Sequence, residues 1–283
     1  MKIQTADQIG VCSWSLQATG PEDLANKVQA LGLKKVQLGL TPHRDDPGTW
    51  EGVQEVLDKA GIAIVSGMFS TVGEDYTTPE TIRRTGGIVP DEYWEENQNI
   101  CRSAAALAQQ LGLKLVSTHA GFLPHEPSDP GFDKLSGRVV ALAQMYAAIG
   151  GSLLLESGQE SADTLLIFLD ELAKQGAGNV GVNFDPANMI LYDMDEPIEA
   201  LQKLVYRVQQ VHVKDAKRTA VKGQWGEEVV VGTGQVDWTA FVRILAQADY
   251  EGDYIFEREA GNVRVGDIAQ GIAALQAAMQ QVA

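Results

Sequence analysis

Three carboxylates and one imidazole stand where apolar runs of this chain end. Glu156 closes Ser152-Leu153-Leu154-Leu155, and Asp185 closes Val180-Gly181-Val182-Asn183-Phe184. His212 lies inside the run from Val208 to Val213, and Glu257 closes Asp253-Tyr254-Ile255-Phe256. Hard divalent cations take carboxylate oxygens, and imidazole is the commonest nitrogen ligand for a metal that still exchanges water. The four residues are 29, 27 and 45 positions apart. The first two intervals suit one strand-and-helix unit each, the third one unit plus a long loop. In a β/α barrel the C-terminal ends of successive strands converge on one mouth, so residues this distant can surround one ion.

The elements that must position them repeat along the chain. Short apolar runs begin at Ile9, Lys35, Ile62 and Leu113, and the four runs above complete eight. Continuous apolar runs of this length suit strands buried on both faces of a parallel sheet. Helical patterns alternate with them over residues 21–31, 49–60, 93–111, 134–149, 162–175, 198–204, 238–248 and 265–282. Glycine follows several of these, as in Leu31-Gly32, Ala60-Gly61 and Leu111-Gly112, where it ends a helix at little conformational cost. Ala30-Leu31-Gly32-Leu33-Lys34-Lys35-Val36 echoes Gln110-Leu111-Gly112-Leu113-Lys114-Leu115-Val116 as a faint internal repeat. Eight strands alternating with eight helices predict an α/β fold, a single (β/α)8 TIM barrel, as one domain over residues 1–283. Three long connections, 69–91, 120–133 and 214–237, all follow strands and so belong at the barrel mouth, where such loops shape pockets or lids.

Bulk properties narrow the function. The formal net charge is −16, which argues against nucleic acid and against an anionic membrane surface, since both need clustered Lys and Arg. Cys12 and Cys101 have neither disulfide-framework nor metal-type spacing and read as buried reduced thiols. Residues 1–10 have no charged-then-apolar signal pattern, and no apolar run reaches membrane-spanning length. The expected location is cytoplasmic.

Around these residues lie blocks that resemble the xylose-isomerase-like superfamily of sugar isomerases and epimerases: Leu155-Glu156 with Gly158-Gln159-Glu160, Phe184-Asp185-Pro186-Ala187-Asn188, Val211-His212-Val213-Lys214-Asp215-Ala216, and Phe256-Glu257-Arg258-Glu259. Thr118-His119-Ala120-Gly121 and Gly232-Thr233-Gly234-Gln235-Val236-Asp237-Trp238 are further blocks of this kind. Any one is weak; six in order are specific. The resemblance implies one divalent metal, Mn²⁺ first, with Mg²⁺, Co²⁺ or Zn²⁺ as alternatives, held by Glu156, Asp185, His212 and Glu257. It also implies that Glu156 and Glu257 act as the acid/base pair on a small-molecule sugar, and that Arg218, six residues after His212, contacts substrate oxygens. Relatives are often homodimers or homotetramers. Related epimerases often place histidine three residues after the strand-6 aspartate, where this chain has Asn188, an amide that can hydrogen-bond substrate but cannot take up a proton near neutral pH.

Each residue also has a plainer reading. Glu156 could be a buried ion-pair partner and Asp185 a helix cap before Pro186, and a lone histidine such as His212 is more often a satisfied core residue. Together they favour the metal. Glu257 is preferred to Glu259 because it directly ends the apolar run. His119 is expected on substrate, and Trp14 either lines the pocket or packs in the core. Glu160 and Asp215 are expected behind the ligands as their supports, while Lys214 either reaches substrate or begins an exposed loop. His43 and His125 read as surface residues.

The leading expectation is a metal-dependent sugar isomerase or epimerase that removes a proton beside a carbonyl, with the cation stabilising the enediolate. A lyase or dehydratase acting on 3-keto sugars or their glycosides would share the first step. A repair endonuclease of the three-zinc type needs more ligands than four histidines allow. A non-catalytic sugar-binding barrel would not need both glutamates.

Overall fold

The computed structural model describes residues 2–283. Eight parallel strands close into a barrel: β1 (Ile9–Cys12), β2 (Lys35–Gly39), β3 (Ala63–Met68), β4 (Leu115–Thr118), β5 (Ser152–Glu156), β6 (Val180–Phe184), β7 (Val208–Val213) and β10 (Tyr254–Phe256). Around the ring the order is β1-β10-β7-β6-β5-β4-β3-β2, the sequential order of the βα repeat closed on itself. Two further strands, β8 (Asp215–Lys217) and β9 (Glu227–Val229), form an antiparallel hairpin inside the 214–237 connection.

Helices α1 (Pro21–Ala30), α2 (Thr41–Asp45), α3 (Val53–Lys59), α4 (Pro79–Thr85), α5 (Trp94–Gln110), α6 (Phe132–Ala147), α7 (Ala162–Lys174), α8 (Pro186–Leu191), α9 (Pro197–Leu204), α10 (Trp238–Gln247) and α11 (Arg264–Val282) occupy the connections. The eight expected helices are all present. The three extra ones, α2, α4 and α8, are single or double turns that follow strands, too short to give an amphipathic period of their own. Gly32 and Gly112 follow α1 and α5 with φ of 69° each, the left-handed conformation for which glycine lacks a steric penalty. Ser161 and Asp237 start α7 and α10 by accepting the amide hydrogens of Thr164 and Ala240.

The strand side chains that point outward pack under the helices. Phe184 on β6, fully buried, meets Phe241 of α10 at 5.8 Å between ring centroids. The inward side is different. Gln37, Ser66, Ser117, Asn183, Gln210 and His212 are all buried and give the barrel interior a polar layer, from which the site is built.

Candidate metal centre and substrate cavity

The parallel register places the ends of β5, β6, β7 and β10 side by side, with Glu156 opposite Asn183 and Ile255 opposite His212. Four donor atoms, one each from Glu156, Asp185, His212 and Glu257, lie within 4.8 Å of one another, and all four residues are buried. His212 Nδ1 is 3.3 Å from Glu156 Oε1, 3.5 Å from Glu257 Oε2 and 3.9 Å from Asp185 Oδ2. Donors bonded to one small divalent cation at about 2.1 Å stand roughly 3 to 4.2 Å apart, so these spacings suit a single ion. Glu257 enters the cluster; Glu259, two residues on, instead pairs with Lys214 at the rim, with half its side chain exposed.

Hydrogen bonding sets the orientation of the imidazole. Gln37 Nε2 donates to Ser117 Oγ at 2.9 Å, which turns Gln37 Oε1 toward His212 Nε2 at 2.7 Å. Asn183 Nδ2 also lies 3.0 Å from Nε2, so Gln37 and Asn183 together fix this edge of the ring, and Nδ1 is the nitrogen left facing the carboxylates. Nδ1 of His212, Oε2 of Glu156 and Oδ2 of Asp185 are buried and without a hydrogen-bond partner. Buried polar atoms are normally paired. The unpaired Nδ1 of His212 and Oδ2 of Asp185 face each other across the cluster at 3.9 Å, which fits a cation between them, while Glu156 Oε2 lies on the His119 side.

The electrostatics agree with that fit. Burial alone would depress His212, but Cys12 and the carboxylates of Glu156 and Glu257 hold it well above the usual imidazole range. Burial pushes Asp185 up to about 8, opposed by Lys214 and reinforced by Glu257 and Glu156. Glu257 goes the other way: burial would raise it, yet Lys214 and His212 hold it well below the usual carboxylate range. Glu156 is lowered more modestly, with burial outweighed by His119 and His212. Protons and Lys214 thus balance the metal-free carboxylates, and a divalent cation would displace those protons.

The two glutamates are not equivalent. Glu257 Oε1 accepts the Trp14 indole N–H at 2.8 Å, and Oε2 accepts from Lys214 Nζ at 2.9 Å. Glu156 Oε1 accepts from Asn188 Nδ2 at 2.9 Å, while its Oε2 lies 3.7 Å from His119 Nε2. Trp14, His119, Asn188 and Lys214 also line a cavity of about 610 Å³ over the cluster, with Glu74, Tyr76, Tyr192 and Glu259 on its walls. Long loops meet above it: the Trp225 indole N–H donates to the Tyr76 carbonyl at 3.2 Å, and its ring packs on Tyr192 at 4.8 Å. A larger hollow of about 850 Å³ lies between the α2–α3 segment and α5, outside the barrel and without the converging acids.

Three sequence expectations are corrected in position. Arg218 does not line the cavity; its guanidinium is held by Asp193 at 2.8 Å, Glu196 at 3.0 Å and the Asp195 carbonyl at 2.8 Å, because the β8–β9 hairpin carries it outward. Asp215 supports no ligand. Its carboxylate accepts the amide hydrogens of Gly232, Gly234 and Val236 and the Trp238 indole N–H, fastening the loop that leads to α10. Glu160 is buried with its carboxyl raised to about 8 by burial and accepts from the Gly158 amide; among the described residues it makes no hydrogen bond to the four candidate ligands. Sequence reading passed over Gln37 and Asn183, and left Lys214 open. Gln37 and Asn183 each interrupt an apolar strand run with one polar residue, a pattern that signals an inward-facing polar group.

A closed parallel barrel with polar groups gathered at its strand ends defines the class of β/α barrels whose sites open at the C-terminal face. Residues 25–279 match the family model of the xylose isomerase-like TIM barrel, and the chain belongs to that family. A xylose isomerase domain protein from Planctomyces limnophilus is 32% identical and superposes with a TM-score of 0.84, covering 91% of this chain and 92% of that one. An L-ribulose 3-epimerase structure shares the fold at 15% identity and a TM-score of 0.74, covering 97% of this chain and 95% of that one. Inosose dehydratase of Clostridium botulinum (strain Alaska E43 / Type E3) is 31% identical over 112 residues, a stretch amounting to 35% of each protein. The match therefore spans about a third of that curated relative. Family members include epimerases and dehydratases.

Proposed function

We propose that the protein is a divalent-metal-dependent sugar isomerase or epimerase that removes a proton from the carbon beside the carbonyl of a polyhydroxy ketone. The observation that carries this reading is the convergence of Glu156, Asp185, His212 and Glu257 beneath a cavity, with unpaired atoms on three of them. A bound cation supplies Lewis-acid polarisation of the ketone and stabilises negative charge as it develops. Glu156 takes the proton, since its Oε2 has no hydrogen-bond donor; the C–H electron pair becomes the double bond of the enediolate. Glu257, ionised, relays a proton from the Lys214 ammonium, 2.9 Å from its Oε2, to the opposite face of the same carbon for epimerisation. For isomerisation the proton goes to the former carbonyl carbon, with the hydroxyl proton passing to the other oxygen. Exchange with solvent then takes the proton off Glu156 and restores Lys214. Trp14 and Lys214 hold Glu257 in place, and Asn188 steadies Glu156 while presenting its carbonyl oxygen toward Lys214 at 3.4 Å. The Tyr76–Trp225–Tyr192 cover limits water above the site.

A dehydratase is the second reading, favoured by one feature. The Lys214 ammonium faces the same cavity and could protonate a hydroxyl leaving from the β carbon as water, a step that fits the likeness to the inosose dehydratase stretch. NMR in D₂O of the Mn²⁺-loaded and chelator-treated protein, with ketoses, inososes and 3-keto glycosides, tests both. Deuterium entering beside the carbonyl with an isomeric product supports the first; loss of water supports the second. No exchange with any of these ketones by the metal-loaded protein refutes proton abstraction on this class.

A further inference from the structure

The fate of the backbone amides at the mouth bears on what the cavity admits. β/α barrels commonly bind a substrate phosphate through the loops after the seventh and eighth barrel strands, using backbone N–H groups and a helix N-terminus. In this chain those positions follow β7 and β10, and internal carboxylates already fill them. Glu228, on β9 and with its side chain 9% exposed, accepts the amide hydrogens of Glu259 and Ala260 at 3.0 Å each and a guanidinium N–H of Arg258 at 2.9 Å. Two adjacent backbone donors and an arginine are what a phosphate or carboxylate would need. The loop after β7 is occupied likewise by Asp215, with three amides and the Trp238 indole. The N-terminus of α8 is closed by Asp185, whose Oδ1 accepts from Ala187 and Asn188 at 2.8 and 3.0 Å.

The cationic groups near the mouth are likewise already paired. Among the described residues Lys214 is the one lysine or arginine on the cavity wall, and its ammonium is held by Glu257 and Glu259 at 2.9 and 2.6 Å. Arg258 is also held by Asp267 at 3.0 Å, and Arg218 is bound outside, by Asp193 and Glu196. Glu74 adds another carboxylate to the wall. Even with a divalent cation bound and His119 protonated, the carboxylates of Glu74, Glu156, Asp185, Glu257 and Glu259 leave the chamber acidic.

We infer that the substrate is an uncharged polyhydroxy ketone, neither phosphorylated nor carboxylated, and that Glu228 is the specificity-determining residue, its carboxylate plugging the anion cradle behind Glu259, whose side chain lines the cavity. This rests on the proposed reading of the cavity as the substrate site. The plug serves selection by subtraction: the backbone cradles that would hold an anion are satisfied from within the chain, so an anionic substrate finds net repulsion and no vacant cradle.

The test is calorimetric titration of the Mg²⁺-loaded protein with D-ribulose and D-ribulose 5-phosphate, alongside ³¹P NMR titration of the chelator-treated protein with inorganic phosphate. Wild type is expected to bind the phosphate ester at least roughly tenfold more weakly than the parent ketose, the size set by an uncompensated like charge near the ligand. Glu228→Ala frees two amides and one guanidinium N–H of Arg258, which Asp267 keeps in place, so it gains binding of inorganic phosphate without metal and narrows the ester's disadvantage by roughly tenfold or more. Glu228→Gln keeps the shape and loses the charge, so it moves in the same direction by less and serves if the alanine variant fails to fold. Equal affinity of wild type for ketose and ester overturns the inference, as does failure of the folded variants to gain phosphate binding. If neither sugar binds but Glu228→Ala gains phosphate, the reading of the cavity fails and the plug stands.

Discussion

Replacing Lys214 by methionine keeps the aliphatic stem and removes the one ammonium that faces the cluster. Its side chain is 4% exposed, with Nζ at 2.9 Å from Glu257, 2.6 Å from Glu259 and 4.0 Å from Asp185. Removing one partner of a buried pair costs about 3–5 kcal/mol, because the other charge stays buried and unpaired. The Glu259 contact adds little, since that side chain is half exposed. Without metal, Glu257 then keeps only the Trp14 indole and the protonated His212. A bound divalent cation beside Glu257 compensates for the missing charge, which leaves mainly a lost hydrogen bond to a charged group, about 1.5–3 kcal/mol. The variant should therefore lose about 2 kcal/mol more stability without metal than with it. By linkage the same difference appears as tighter metal binding, about 30-fold at 1.4 kcal/mol per factor of ten. Urea denaturation with chelator and with saturating Mn²⁺ reads the first quantity, and calorimetric titration with Mn²⁺ reads the second. Equal destabilisation in both states, with Mn²⁺ affinity unchanged or weakened, would refute the assignment of Glu257 to the cation.

Further outcomes follow from the same geometry. Glu156→Gln should abolish deuterium exchange by 10²-fold or more, the usual scale for a removed acid/base group, with circular dichroism unchanged; full exchange in that variant moves the base elsewhere. Mn²⁺ affinity should rise with pH through about 8, because His212 is held protonated and burial pushes Asp185 up to about 8, and both protons must leave before the donors face a cation; titrations from acid to alkaline pH giving a flat profile would exclude the pair as ligands. Gly158→Ala puts a Cβ 2.2 Å from Asn188 Cβ at a φ of 137°, so we expect about 1–3 kcal/mol of destabilisation together with lower turnover as Asn188 leaves Glu156. Thermal melts and exchange rates check it, and an unperturbed variant would show that Asn188 does not depend on this approach.

Much of the barrel is legible because its signals are local. A buried parallel strand is a short apolar run, and a helix end is often a glycine, so alternation of the two exposes the eightfold repeat. The cluster is legible for a related reason: a carboxylate at the end of an apolar run is costly to bury alone, so Glu156, Asp185 and Glu257 each signal a partner. Gln37 carries a weaker form of that signal, a single polar residue between Val36 and Leu38. The short helices α2, α4 and α8 and the β8–β9 hairpin give none, being too brief for a period to form. Arg218 shows the limit of spacing: six residues after His212 it sits past a turn of chain whose direction no local pattern records, and it faces Asp193 and Glu196.

Charge shows most clearly what lies beyond local reading. The chain has 38 acidic residues and a net charge of −16, which argues against nucleic acid but does not choose among small substrates, because a count does not say which carboxylates face inward. Glu228 reads as one more acid in a charged loop until β8 and β9 pair and bring it under the backbone of Glu259 and Ala260. Lys214 reads equally as a substrate contact or an exposed loop start until β7 and β10 align and enclose it between Glu257 and Glu259. Both are decided by tertiary pairing between segments that a local window never joins. The same pairing gives acidity its local meaning. Carboxylates that converge at unpaired atoms make a cation site, and carboxylates that cap backbone amides remove anion sites, so one composition produces a centre that takes a metal ion and a mouth that refuses a phosphate.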